Sequence, residues 1–492
     1  MEIRKASVNN IGYMKISSSK PITCNFVAPF EIEEIQSATV TVYTADVLYG
    51  DKTCTLKARA NLNAICLSDG ATVSCENTVD FDVLFECEKI TENCLLHSTH
   101  IAQNVKVERQ DDSYAISAII DSEMDFFVLS PLEYTADCDG AIVKRKEQNA
   151  LSFFAFCKGE NDFEQEKEIS LLAYKMLSHE ESARISGVQC GINEVIADGE
   201  VYAEFLFITE RGETFKETLI CPFRYEIECN NCLPEMTANV YCEVVSLAYR
   251  MENDQSSGKN NLYASYSLRF CAVVFENKSV SCIDDAFSTD CELGLRREEY
   301  EFFAGVKEKE MRYKCFGEAT CDLDGKNVLS VIGGGVYALS YNKEGENLVI
   351  GGILHADVLG GEKDGEKAQG VCELTFQTSF LCEGTPLSLI ATKRNVTVKK
   401  LDDKYVLEGE IVFSAVCVQK TRISMVAEIE EGAKKVDDDS AVKIIFVEKG
   451  DELWTVCKKA GVNEDTLKVQ NPDLIFPAEK HTGIVVYRKI DL

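Results

Sequence analysis

Residues 266–274 read Tyr266-Ser267-Leu268-Arg269-Phe270-Cys271-Ala272-Val273-Val274, and their spacing decides the fold class. Tyr266, Leu268, Phe270, Ala272 and Val274 share one face of an extended chain, while Ser267, Arg269 and Cys271 share the other. That period of two is the mark of a half-buried β-strand, because successive side chains leave a strand on opposite sides. Val201, Ala203, Phe205 and Phe207, interleaved with Glu200, Tyr202 and Glu204, follow the same rule. So do Val79, Phe81, Val83 and Phe85, interleaved with Asp80, Asp82 and Leu84. Helical stripes are scarce over the first 430 or so residues, and Pro is only 8 of 492, so turns must rely on Gly, Asn and Asp. The expected fold is mainly β.

The strands recur in blocks. One block runs Gly199-Glu200-Val201-Tyr202-Ala203-Glu204-Phe205-Leu206-Phe207, turns at Glu210-Arg211-Gly212-Glu213, and later enters a strand at Tyr263. A second runs Gly352-Ile353-Leu354-His355-Ala356-Asp357-Val358, turns at Lys363-Asp364-Gly365-Glu366, and enters a strand at Tyr405. The first third holds a weaker copy: Ala58 to Ile65, a turn at Ser68-Asp69-Gly70, and a strand at Tyr114. Tyr114, Tyr263 and Tyr405 lie 149 and 142 residues apart, the signature of an internal repeat. Three related β-sandwich-like domains are expected, over residues 1–145, 146–290 and 291–427. The polar stretch Glu252 to Lys259 reads as a solvated hairpin loop of the second. Residues 428–442, with Glu430-Glu431 and Asp437-Asp438-Asp439, read as an acidic linker.

Composition narrows the function. Lys plus Arg number 51 and Asp plus Glu 82, a formal net charge of −31, and no basic patch interrupts it. A polyanion repels phosphate backbones and anionic headgroups, so neither nucleic acid nor a membrane surface is an expected partner. The first ten residues hold no apolar stretch of signal-peptide length, and no uncharged run approaches the roughly 18 residues of a membrane span. A protein retained in the cytoplasm is the expectation. The 22 Cys then read mostly as reduced, small apolar residues inside strands, such as Cys66 and Cys271.

From Lys443 the pattern changes. A short apolar strand, Ile444-Ile445-Phe446-Val447, precedes a helix with Leu453, Val456, Cys457 and Ala460 on one face, Asp451 as its N-cap and Gly461 just past its end. A second helix starts at the N-cap Asn463, carries Glu464 and Asp465 in its first turn, can staple Val462 to Leu467, and stops at Asn471-Pro472. A strand at Ile484-Val485-Val486-Tyr487 follows. Residues 443–492 hold eight basic and eight acidic residues, so the −31 belongs wholly to what precedes them.

This order, with Lys449-Gly450-Asp451-Glu452-Leu453-Trp454 and Val469-Gln470-Asn471-Pro472-Asp473-Leu474, resembles the LysM domain. The resemblance implies a βααβ fold and a groove for N-acetylglucosamine polymers such as peptidoglycan. Carried over by position, the groove comprises Gly450, Asp451, Glu452, Leu453 and Trp454 on one side, and Asn471, Pro472, Asp473, Leu474 and Ile475 on the other. The same residues have structural readings: Leu453, Pro472 and Leu474 as the small core, Asp451 and Asn471 as caps. The family commonly closes on an apolar-x-Ile-Pro strand, whereas this chain reads Val485-Val486-Tyr487-Arg488.

Three acidic β repeats followed by one LysM, without a signal peptide, resemble the SipL-type spore coat morphogenesis proteins, whose repeats are called SPOCS domains. Glu33-Glu34-Ile35 and the strands at Gly199 and Gly352 carry this resemblance together with the domain order. It implies a non-enzymatic scaffold in the mother-cell cytoplasm at the forespore surface, its LysM bound to a coat ATPase of the SpoIVA type. The alternative is a wall-associated protein whose LysM holds glycan.

No catalytic constellation, cofactor or metal site is expected. Gly333-Gly334-Gly335 lacks the Lys of a phosphate loop and reads as a bulge or close strand packing, and His179-Glu180-Glu181 lacks the second His of a zincin helix. Cys94-Leu95-Leu96-His97-Ser98-Thr99-His100 and Cys229-Asn230-Asn231-Cys232 are weighed as zinc ligands, but structural zinc takes four ligands, usually from two such pairs, and neither cluster has an evident second half; the chain holds only 5 His.

Overall fold

In a computed structural model of the chain, the described residues are 2–91, 94–110, 113–170, 172–254, 259–361, 367–435 and 442–487. One strand order occurs three times. The first unit is β1 (Glu2–Phe26), β2 (Glu34–Tyr49), β3 (Thr53–Ser68), β4 (Ala71–Glu86), β5 (Leu95–Gln110) and β6 (Ser113–Asp139). The second is β7 (Ile142–Ile169), β8 (Lys175–Cys190), β9 (Glu194–Ile208), β10 (Thr214–Glu228), β11 (Thr237–Asp254) and β12 (Lys259–Phe287). The third is β13 (Cys291–Cys321), β14 (Val328–Glu344), β15 (Asn347–Gly361), β16 (Lys367–Leu381), β17 (Thr385–Leu401) and β18 (Lys404–Lys434).

In each unit the second to fourth strands form an antiparallel meander, as in β2-β3-β4, and the first, sixth and fifth form the facing layer, as in β1-β6-β5. The facing layers of the second and third units join where Phe303 of β13 meets Leu151 of β7. The quoted blocks fall on corresponding strands: Ala58, Gly199 and Gly352 on β3, β9 and β15, and Tyr114, Tyr263 and Tyr405 on β6, β12 and β18. The turn at Lys363 to Glu366 and the tip of the loop at 255–258 lie outside the described residues.

Alternation puts one apolar face of each layer inside its own sandwich: Leu56, Phe81, Ile116 and Phe126 in the first, Phe205, Phe223, Tyr266 and Phe270 in the second, Ile350, Phe376, Leu407 and Phe413 in the third. Further clusters draw on all three units. Ile11, Phe127, Leu151, Phe275, Phe303 and Val416 form one. Val8, Tyr134, Val280, Phe302, Ile423 and Met425 form another. The long first and last strands of each unit thus bury their outer apolar face against the other units, because a two-layer sandwich has only one interior.

Gly333-Gly334-Gly335 lies at a bulge in β14; Gly334 has φ 135°, and a Cβ there would sit 2.3 Å from the His355 carbonyl oxygen. One disulfide, Cys321–Cys372, joins β13 to β16, while the other 20 cysteines carry free thiols. The reading of 428–442 as linker is corrected at its start: residues 428–434 continue β18, with Glu428 opposite Arg296 and Ile429 opposite Leu295 and buried. One apolar residue among charges gives no strand period, yet the partner strand was there to pair with. Residues 436–441 lie outside the described residues.

Candidate functional site

The C-terminal residues form β19 (Val442–Val447), α1 (Leu453–Ala460), α2 (Glu464–Gln470) and β20 (Thr482–Tyr487), with β19 and β20 antiparallel. Gly461 ends α1 in the left-handed conformation, φ 69°, and the Asn463 side chain accepts from the Thr466 N–H at 2.7 Å to start α2. Val456, Cys457, Leu467, Ile484 and Val486 form the core, with Leu453, Val462 and Leu474 packed against it. The reading of Asp451 as the cap of α1 is corrected. Glu452 occupies that position and makes no side-chain cap, whereas the Asp451 carboxylate accepts from the Glu448 N–H at 3.0 Å and pairs with Lys459 at 2.7 Å. Those two donors hold its pKa below the ordinary carboxylate range.

The two loops of the expected groove are joined at their bases. Gly450 donates its N–H to the Ala478 carbonyl at 2.8 Å, and Ala478 donates to the Asp451 carbonyl at 3.0 Å. Gly450, Glu452, Pro472, Asp473 and Ile475 are exposed, while Leu453 and Leu474 are half-buried in the core. Asn471 acts as a clasp: its side chain donates to the Val485 carbonyl at 3.0 Å and accepts from the Val485 N–H at 3.3 Å. Gln470 does the same for Tyr487, at 2.9 and 3.0 Å. These amides satisfy the outer edge of β20 as another strand would.

Trp454 serves a different purpose from the groove expected of it. It is 7% exposed, donates its indole N–H to Asp285 of β12 at 2.8 Å, and packs edge-on against Phe287 with ring centroids 5.2 Å apart. Lys458 pairs with the same Asp285 oxygen at 2.9 Å. Burial alone would raise the Asp285 pKa, but the hydrogen bonds from Lys458 and Trp454 outweigh it and hold the carboxyl below its usual range. Phe287 and Ile142, paired across β12 and β7, complete the apolar contact. The module therefore docks on the second unit although its chain arrives from the third. Asp285 and Phe287 carry no sequence signal for this role; both sit at the end of an ordinary strand.

Away from the helices, the β19-β20 sheet exposes Val442, Ile444, Phe446 and Tyr487, and His481 stacks on Phe446 with rings parallel at 5.8 Å. Because Val485 and Tyr487 turn their backbone groups toward α2, Val442 and Ile444 opposite them turn theirs to the outer edge of β19, which pairs with no strand among the described residues.

The histidines of the remaining candidates are held by neighbouring side chains. His100 bonds Thr44 and Ser122 at 2.9 Å each, and burial lowers its pKa to about 4. His97 stacks on Tyr241. On β8, burial would lower the pKa of His179, but Glu181 at 3.0 Å and Glu76 of the first unit at 3.5 Å raise it to about 10.

Over 44 residues the chain is 52% identical to the spore coat assembly protein ExsA of Bacillus cereus, a stretch that covers 8% of this chain and 7% of that protein. The chain thus shares a short segment with a spore coat assembly protein. No family model matches the chain, and no solved structure matches it. No helix among the described residues is long and apolar enough to cross a membrane.

Proposed function

We propose that the protein is a non-enzymatic scaffold of bacterial endospore coat assembly, working in the mother-cell cytoplasm at the forespore surface in the manner of the SipL-type proteins that it resembles. The observation that carries this reading is the 52% identity of a 44-residue segment to a spore coat assembly protein. The βααβ module, read as LysM, is the docking head for a coat morphogenetic ATPase of the SpoIVA type, and the three sandwiches are the body that it recruits.

Two features of the fold support a protein partner. The outer β19-β20 face exposes Ile444 at 65% and Phe446 at 64%, more apolar surface than a solvated sheet needs, beside a strand edge that is unpaired among the described residues and can pair with another chain. The module is also docked on the body, so a partner held by the head is placed at a fixed distance from the sandwiches.

The test is a titration of the full-length chain with the coat ATPase and, separately, with N-acetylglucosamine oligomers. Saturable binding of the ATPase, lost in an Ile444→Asp/Phe446→Asp variant that still unfolds cooperatively, is the expected result. Saturable sugar binding without ATPase binding would replace the scaffold reading with that of a glycan-binding wall protein.

A further inference from the structure

A cysteine recurs just past the meander in all three sandwiches: Cys87 after β4, Cys229 after β10 and Cys382 after β16. Each is tied by its backbone N–H to the first turn of its own meander, Cys87 to the Lys52 carbonyl, Cys229 to that of Asn193 and Cys382 to that of Glu346, all at 2.9 Å. What meets the sulfur differs. In the first unit the thioether of Met14 lies 3.6 Å from Cys87 Sγ. In the third the neighbour is a second thiol: Cys382 Sγ and Cys417 Sγ are 2.8 Å apart. Cys417 lies in β18, opposite Lys307 of β13 on one side and Pro386 of β17 on the other. Both thiols are buried. The turn over Cys382 is not: Leu381 and Glu383 are exposed, with Lys309 donating to the Leu381 carbonyl and Lys343 to that of Gly384.

We propose that Cys382 and Cys417 are an oxidation site at which a disulfide forms, stapling the meander of the third sandwich to its facing layer. A sulfur–sulfur bond measures about 2.05 Å, so little movement separates the contact from the bond. Cys321–Cys372 already joins the same two layers through β13 and β16, near the start of β18, where Ala319 opposes Tyr405. Cys417 lies at the other end of the β17–β18 pairing, which runs from Leu401 opposite Lys404 to Thr385 opposite Val418. The second bond therefore closes the end of the sandwich that the first leaves open. The first unit cannot do the same, because the Met14 sulfur already carries two carbons.

The oxidant is hydrogen peroxide, small enough to pass beneath one opened turn. Burial pushes the Cys417 thiol up to about 12, and the thiolate is the nucleophile, so the first attack falls to Cys382 under its exposed turn. The Cys382 sulfur takes one peroxide oxygen as the O–O bond breaks, and the other oxygen leaves as water with the thiol proton. The product is a sulfenic acid. The Cys417 sulfur then attacks the Cys382 sulfur, the S–O bond breaks, and a second water leaves with the Cys417 proton. In sum two thiols lose two hydrogens and one peroxide becomes two waters. A resolving thiol already in contact is what carries a sulfenic acid to a disulfide rather than on to a sulfinic acid.

The experiment treats the folded full-length chain with hydrogen peroxide, alkylates the remaining thiols and maps its peptides by mass without reduction. A peptide pair joined through Cys382 and Cys417, two hydrogens lighter than its reduced parts, should appear, and the denaturant midpoint should rise with it. The same link found before peroxide is added supports the site equally. Cys382→Ser and Cys417→Ser should each remove both the link and the rise, while Cys87→Ser should leave both unchanged. Where a variant does not fold, the wild-type map alone decides. Peroxide that leaves both residues as alkylatable thiols, carries Cys382 to a sulfinic acid without a link, or joins either sulfur to a different cysteine would each overturn the site.

Discussion

The sandwich body and the C-terminal module hold together by different means. The three sandwiches share apolar clusters built from all three units, such as the one around Phe302, which is fully buried between residues of the first, second and third. The module meets the second unit through one indole, one carboxylate, one ammonium and the side chains of Phe287 and Ile142. Removing water from a broad apolar surface stabilises by area and binds the units into one cooperative body, whereas the module's contact rests on a few directional groups that compete with water.

The comparison breaks most sharply at Phe302. Phe302→Ala should destabilise the entire body by about 3–5 kcal/mol, read as one shifted denaturant transition with the module core unaffected. If only one unit loosens, the shared cluster is not cooperative. Next in size is the polar seam between the first two units. His179, raised to about 10 by Glu181 and Glu76, is charged when folded but titrates near 6.5 when unfolded, so its stabilisation is complete below that pH and is lost as pH rises toward 10. Denaturant midpoints should fall across that window, and His179→Gln should flatten the decline.

Asp285→Ala leaves the Trp454 N–H and Lys458 without their acceptor and should loosen docking by about 1–3 kcal/mol. The emission of Trp454, the one tryptophan in the chain, should move to the red while the body's midpoint stays fixed. A midpoint that falls with it would make the module part of the body. Smallest is Asn471→Ala, which removes the clasp on Val485 and should cost the module about 1 kcal/mol, seen as faster hydrogen exchange at Val485 alone.

The module's helices, caps and stops were legible because helix signals are local: Gly461, Asn463 and Asn471-Pro472 act on neighbours within a turn. The one local error, Asp451, came from two adjacent acidic residues competing for one cap position. The strands and the threefold recurrence were legible from alternation and from the spacing of Tyr114, Tyr263 and Tyr405. The strand at 428–434 was not, since its reason to exist is the partner strand β13.

Sequence by itself determined that the body is mainly β, that the β unit repeats and that two helices lie near the C-terminus, because period, turn residues and caps act over a few positions. Only the tertiary structure decided which faces meet: that Trp454 docks on Asp285 rather than flanking a groove, and that Phe302 lies where three units converge. Each of these joins residues far apart along the chain, and alternation shows which side of a strand is apolar without showing what covers it.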